Sequence, residues 1–140
     1  MASMQEFLNR YPNSKYKDQA IEVIYTTQEK LEKKGFDNAY LYFKMKSYKA
    51  AIVALKNFLN NFPDSKYVEQ THYLIILSEY KQAEKSIRSK QLDRYKELVE
   101  DYKTFLGKFP QSSYLSDAEK LYADSLDKIN KLKINANINS

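Results

Sequence analysis

Cysteine and tryptophan are absent from the 140 residues, and the chain holds only two glycines, three prolines and one histidine. Without cysteine there is no disulfide, no thiolate zinc site and no cysteine nucleophile, although the compartment stays undecided. His72 has no second histidine or cysteine to complete a metal shell, so it reads as a structural or surface histidine. Average usage would give roughly 12% glycine plus proline, and a β-sandwich or barrel needs such residues at every turn. Gly35 and Gly107 stand too far apart to cradle a phosphate. No run approaches the ~18 apolar residues of a membrane-spanning helix, and Met1-Ala2-Ser3-Met4 lacks the basic-then-apolar pattern of a secretory signal. A nucleophile with its base, paired carboxylates and a metal shell are not apparent. The expectation is a non-enzyme with no catalytic residue, no cofactor and no metal.

What is present is the balance of one compact domain: 43% hydrophobic, 29% charged, with 23 basic against 18 acidic residues for a net charge of +5. Only Arg10, Arg88 and Arg94 are arginines, and the lysines alternate with Glu and Asp rather than forming a stripe, which argues against a nucleic-acid partner.

The sequence repeats itself. FLNRYPNSKY at residues 7–16 returns as FLNNFPDSKY at 58–67 and as FLGKFPQSSY at 105–114, at spacings of 51 and 47 residues. Repeats of this length mark stacked supersecondary units. Proline lacks an amide donor and pushes the preceding residue out of the helical region, so Tyr11, Phe62 and Phe109, before Pro12, Pro63 and Pro110, each close a helix. Ser14, Ser65 and Ser112 are expected to cap the next helix, with Asp18, Glu69 and Asp117 in its first turn. The aromatic before each proline and the Tyr16, Tyr67 or Tyr114 after each serine are expected to pack across the corner. Truncating Phe62 is therefore expected to cost about 3–5 kcal/mol.

Upstream of the second and third copies, Tyr48, Ala51, Ile52, Leu55, Phe58, Leu59 and Phe62 match Tyr95, Leu98, Val99, Tyr102, Phe105, Leu106 and Phe109, each pair 47 apart. Steps of three and four put one apolar face on each of two equivalent helices. Ala39, Tyr40, Tyr42 and Phe43 give a shorter helix its buried face, and Lys46-Ser47-Tyr48 is the turn between. The fold class is all-α, a tetratricopeptide-like stack of helical hairpins (an α-solenoid). Helices are expected over 4–10, 14–34, 36–46, 48–61, 65–89, 91–108 and 113–134. Residues 1–3 read as a cloning scar, 4–134 as a single repeat domain forming the C-terminal part of a longer array, and 135–140 as a frayed tail.

Residues 11–16, the run Leu31 to Phe43 with its Leu-x-x-x-x-Phe-x-x-Ala phrase, Tyr48-Lys49-Ala50-Ala51-Ile52 and Phe62-Pro63-Asp64-Ser65 come in an order that resembles the BamD family of outer membrane assembly lipoproteins, over roughly residues 7–129. The richness in Lys, Asn and Tyr is similar to versions from Bacteroidetes-like bacteria. The resemblance implies a component of the β-barrel assembly machinery on the periplasmic face of the outer membrane, anchored by a lipidated cysteine that this chain lacks. It implies about five repeats, those missing here carrying the pocket for unfolded barrel substrates, while the repeats present dock to the periplasmic domains of the barrel-forming subunit BamA. Residues 85–134 extend beyond shorter family members.

Most of the 13 tyrosines and 7 phenylalanines sit at helical spacing and read as core. Tyr40, Tyr42, Tyr73 and Tyr80 fall on the first helices of hairpins, which line the concave side of such a stack, and are candidate partner anchors. Arg88 and Arg94, with Lys81, Lys85, Lys90 and Lys96, form a basic junction suited to an acidic protein or anionic headgroups. Two function classes follow: a scaffold subunit of the barrel assembly machine, or another tetratricopeptide adaptor that captures an extended peptide.

Overall fold

The computed structural model describes residues 17–138, and among them it has five α-helices and no strand: α1 Lys17–Lys44, α2 Tyr48–Asn61, α3 Val68–Glu84, α4 Arg88–Lys108 and α5 Leu115–Ile138. The expected helix over 4–10 and the first copy of the repeated phrase lie outside the described residues. The chain divides into two compact units, one ending at Gly35 and the other starting at Phe36. Described residues of the first belong to α1, where Gln28 Nε2 donates to Glu32 Oε1 at 3.4 Å one turn on. The second unit contains the helical hairpins.

Residues 14–34 and 36–46 were expected as two helices, whereas α1 runs through Gly35 without interruption. An internal glycine costs a helix only about 1 kcal/mol, and Gly35 does not adopt positive φ, so nothing there terminates the hydrogen-bond ladder. The break comes at Lys46, which has φ 61°. Its amide donates to Phe43 O (2.9 Å) and the Ser47 amide to Tyr42 O (3.0 Å), the paired bonds of a Schellman stop.

At the two described proline corners the backbone is nearly identical. Phe62 has φ −134°, ψ 63° and Phe109 φ −133°, ψ 65°. Their amides close the ladders on Phe58 O (2.9 Å) and Phe105 O (2.8 Å). The Ser65 and Ser112 amides then donate to Phe62 O and Phe109 O, each at 3.1 Å. The serines do not cap the helices as expected. Each hydroxyl accepts from an amide two residues on, Tyr67 or Tyr114, at 3.1 Å, so the serine shapes a turn that precedes the helix. The chain must reverse before it can coil again, and α3 begins only at Val68 and α5 at Leu115. The rings also choose different partners. Tyr67 stacks on Phe36 at 4.7 Å and meets Phe58 edge-on at 6.4 Å, while Tyr114 stacks on Tyr73 at 5.4 Å.

Within the second unit α3 packs against α2, α4 and α5. Its buried residues therefore extend around the helix, from Leu74, Ile75 and Ile76 to Thr71, His72, Ser78 and Glu79. One core gathers Phe36, Ala39, Ala51, Leu55, Phe58, Leu74 and Ile75 between α1, α2 and α3, and a second gathers Ile76, Leu98, Tyr102, Phe105 and Ala118 between α3, α4 and α5. The 47-residue correspondence of α2 and α4 holds, except that Leu106 is exposed. Phe62 and Phe109 are only half-buried; the fully enclosed corner rings are Phe58 and Phe105. Nor does the helix end before Asn135: α5 continues to Ile138, its residues 135–137 lacking any glycine or proline to stop it.

Candidate functional site

An open groove of about 730 Å³ lies on the hairpin of α1 and α2, lined by Tyr42, Tyr48, Ala50, Val53, Ala54 and Asn57 among others. Small residues on α2 leave the depression, while Tyr42 (37% exposed) and Val53 (56% exposed) present apolar surface to solvent. The equivalent positions of α4, 47 residues on, are Glu97, Glu100, Asp101 and Thr104. Two helices built on one template thus carry opposite chemistry on the same face: apolar on α2, acidic on α4.

The acidic face is already engaged. Lys56 of α2 places Nζ 2.8 Å from Glu97 Oε1, 3.2 Å from Asp101 Oδ2 and 3.9 Å from Glu79 Oε2 of α3. Burial works against the charge of Lys56, but the hydrogen bond to Glu97 and the fields of Asp101, Glu79 and Glu97 outweigh it and raise its pKa. Glu79 is 2% exposed, and neither carboxyl oxygen has a hydrogen-bond partner. Burial first and then Asp101 push its pKa up to about 10, Lys56 opposing. Oxygens of Glu79, Glu97 and Asp101 come within 4.8 Å of one another, near enough to share a cation, and the Lys56 ammonium fills that role. A second groove of about 500 Å³ opens beside the cluster, with His72 and Ile75 on α3 between Lys56 and Lys108. His72 stacks on Phe105 at 5.6 Å, and burial followed by the charge of Lys108 pushes its pKa down to about 4. Sequence reasoning did not find the Lys56–Glu79 cluster. The available signal was a lysine in a helix whose counterpart 47 residues on, Lys103, lies on a surface face.

The four candidate tyrosines separate. Tyr42 lies on the open groove. Tyr40 is half-buried between Phe36 and Phe43, both rings 5.8 Å away, with Lys44 Nζ 5.1 Å over its face. Tyr73 is held by Tyr114. Tyr80 donates its hydroxyl to Asp124 Oδ2 and meets Tyr95 edge-on at 6.0 Å; burial and that bond raise its pKa. Three of the four are thus occupied in packing: Tyr73 and Tyr80 because α3 is covered on several sides, and Tyr40 because it stacks within the aromatic run of α1.

The basic junction also divides. Arg88 is exposed at the first residue of α4. Arg94 is half-buried and donates through a guanidinium nitrogen to Ser86 Oγ, which itself donates to Gln82 O at 2.6 Å. With Gln91 Nε2 on Ala83 O at 3.1 Å, these bonds tie α4 to the end of α3. The corner residues Phe62, Pro63, Ser65 and Tyr67, and Phe109, Pro110, Ser112 and Tyr114, shape turns as described above. No described helix is long and apolar enough to cross a membrane.

Comparison with known proteins gives one family. The model of a family described as "YfiO: Outer membrane lipoprotein" matches residues 19–135, most of the chain. No curated protein matches the chain. The chain belongs to this outer membrane lipoprotein family.

Proposed function

We propose that this member of the outer membrane lipoprotein family is a non-catalytic scaffold subunit of the β-barrel assembly machinery, of the BamD kind, and that it docks to the periplasmic domain of a BamA-like barrel subunit. The observation that carries the reading is the family match over residues 19–135, which covers all five described helices nearly end to end. The hairpin stack supports it physically, since such a stack presents long, rigid helix faces suited to holding another protein. We assign the docking surface to the groove on α1 and α2, where Tyr42 offers an aromatic anchor above a floor of Ala50, Val53 and Ala54. The role requires no turnover, no cofactor and no metal.

Calorimetric titration of the chain with a purified BamA-like periplasmic domain tests the reading. Binding is expected, and Tyr42→Ala combined with Val53→Asp should weaken it by about 2 kcal/mol or more, with the melting temperature nearly unchanged because both side chains face solvent. Absence of binding at ~100 μM, together with capture of an extended peptide, would favour the adaptor reading instead.

A further inference from the structure

In the second unit the two most exposed large apolar side chains are Ile87 (67%) and Met45 (62%). Both sit at the tips of turns, Met45 between α1 and α2 and Ile87 between α3 and α4. Each tip is ringed by exposed cations: Lys44, Lys46 and Lys49 around the first, Lys85, Arg88 and Lys90 around the second. No carboxylate occurs in sequence between Asp37 and Asp64, or between Glu84 and Asp93. The turns are neighbours, since Lys85 Nζ lies 5.0 Å over the Tyr48 ring. One edge of the stack therefore carries six cations and two protruding apolar side chains. The described proline corners at 62–67 and 109–114 expose no large apolar side chain, and the first sets Asp64 beside Lys66.

Two features of this edge cost stability. Clustered like charges repel one another. Lys46 holds φ 61°, a conformation that glycine adopts without penalty and that the Cβ of a lysine opposes. A lysine there keeps a cation at the tip where the fold by itself favours glycine. The combination of protruding aliphatic groups and a basic surround matches the boundary of a lipid bilayer, where acyl chains accept the former and headgroup phosphates attract the latter.

We propose that the edge formed by the α1–α2 and α3–α4 turns docks on an anionic phospholipid surface, with Met45 and Ile87 entering the interface and the surrounding lysines and Arg88 meeting headgroup phosphates. This places one edge of the hairpin stack against the membrane, with Lys49 shared between that edge and the rim of the groove at Tyr42 and Val53. It does not depend on the identity of the groove's protein partner.

Co-sedimentation of the full chain with vesicles tests it, comparing phosphatidylcholine alone with phosphatidylcholine containing about 30 mol % phosphatidylglycerol. Binding is expected to the anionic vesicles only, and to weaken as salt is raised. Lys46→Glu with Arg88→Glu should lower the partition coefficient roughly tenfold or more. A control reversal of exposed lysines elsewhere, Lys103→Glu with Lys120→Glu, should change it by less than about twofold. Lys46→Gly should raise the melting temperature while lowering vesicle binding. Because the chain has no native cysteine, Met45→Cys and Ile87→Cys can each carry a polarity-sensitive dye; both should shift to the blue on anionic vesicles, and a dye at Leu106→Cys should not. Any of three results overturns the proposal: no binding to anionic vesicles, including the case where an acidic protein binds this edge instead; equal loss in the control reversal; or no blue shift at positions 45 and 87.

Discussion

His72 shows how far one residue's chemistry can be displaced by its seat. Its ring lies parallel to Phe105 at 5.6 Å and tilted on Phe109 at 5.8 Å, and the pKa falls to about 4, mainly through burial. An unfolded histidine titrates near 6.5. Between those values the unfolded chain binds a proton that the native state refuses, so stability present above about pH 6.5 is lost as pH falls towards 4. The loss has an upper bound on the order of 3 kcal/mol. Urea melts at pH 7 and pH 4.5 should show His72→Gln losing less stability than the parent over that interval. Equal losses would mean that the ring accepts its proton in the folded state. Lys46 is the other displaced residue, held at positive φ by the hydrogen bonds on either side of it.

Helices in this chain meet at corners whose order of burial differs from their order of visibility. The aromatic–proline pair stands out, but Phe62 and Phe109 are half-buried at the rim of each turn, and the rings one helical turn earlier, Phe58 and Phe105, carry the packing. Phe105 is fully enclosed among Leu98, Tyr102, Ile76 and Ala118. Truncating it leaves a cavity bounded by rigid helices, so Phe105→Ala should cost about 3–5 kcal/mol in denaturant melts. Phe62→Ala should cost no more than about half of that, because solvent and neighbouring side chains can close over the gap. Equal costs would contradict the burial difference. Proline follows the ends of α2 and α4 and positive φ the end of α1, whereas Gly35 stops nothing.

At the scale of the whole molecule, one cluster ties successive hairpins together. Lys56 reaches from α2 to Glu97 and Asp101 on α4, above the buried Glu79 of α3. Glu79 keeps its proton up to about pH 10, chiefly through burial and then Asp101, whereas in an unfolded chain it releases the proton near 4.5. Folding therefore takes up a proton across that interval, and the contribution is fully present below about pH 4.5 and declines as pH rises. Glu79→Gln preserves the shape of the neutral acid without the linked proton. Its melting temperature should gain on the parent progressively from pH 5 to pH 9. A constant offset across that range would show instead that Glu79 is ionised and paired with Lys56. Nearest-neighbour interfaces of this kind set the stability of repeat arrays, so the effect bears on cohesion between hairpins more than on either hairpin alone.

The all-α class, the two proline corners and the matched faces of α2 and α4 were legible in the residues alone, because each depends on local rules: the missing amide of proline, the 3.6-residue period, and a phrase repeated at fixed spacing. The resemblance carried by residues 11–16, 31–43, 48–52 and 62–65 pointed to the lipoprotein family that the comparison then showed. What the sequence could not separate was which of several similar rings would be core and which would remain at the surface. Tyr40, Tyr73 and Tyr80 share a helical setting with Tyr42, and only the folded packing half-buried three against other side chains and left one on the groove. The Lys56–Glu79 cluster was invisible for the same reason: the three carboxylates lie 23 to 45 residues beyond Lys56, on two other helices, and ion pairing follows distance in space rather than order in the chain. The burial of α3 on several sides was likewise a tertiary decision, since its polar residues Thr71, Ser78 and Glu79 would mark a solvent face on a helix with a single neighbour.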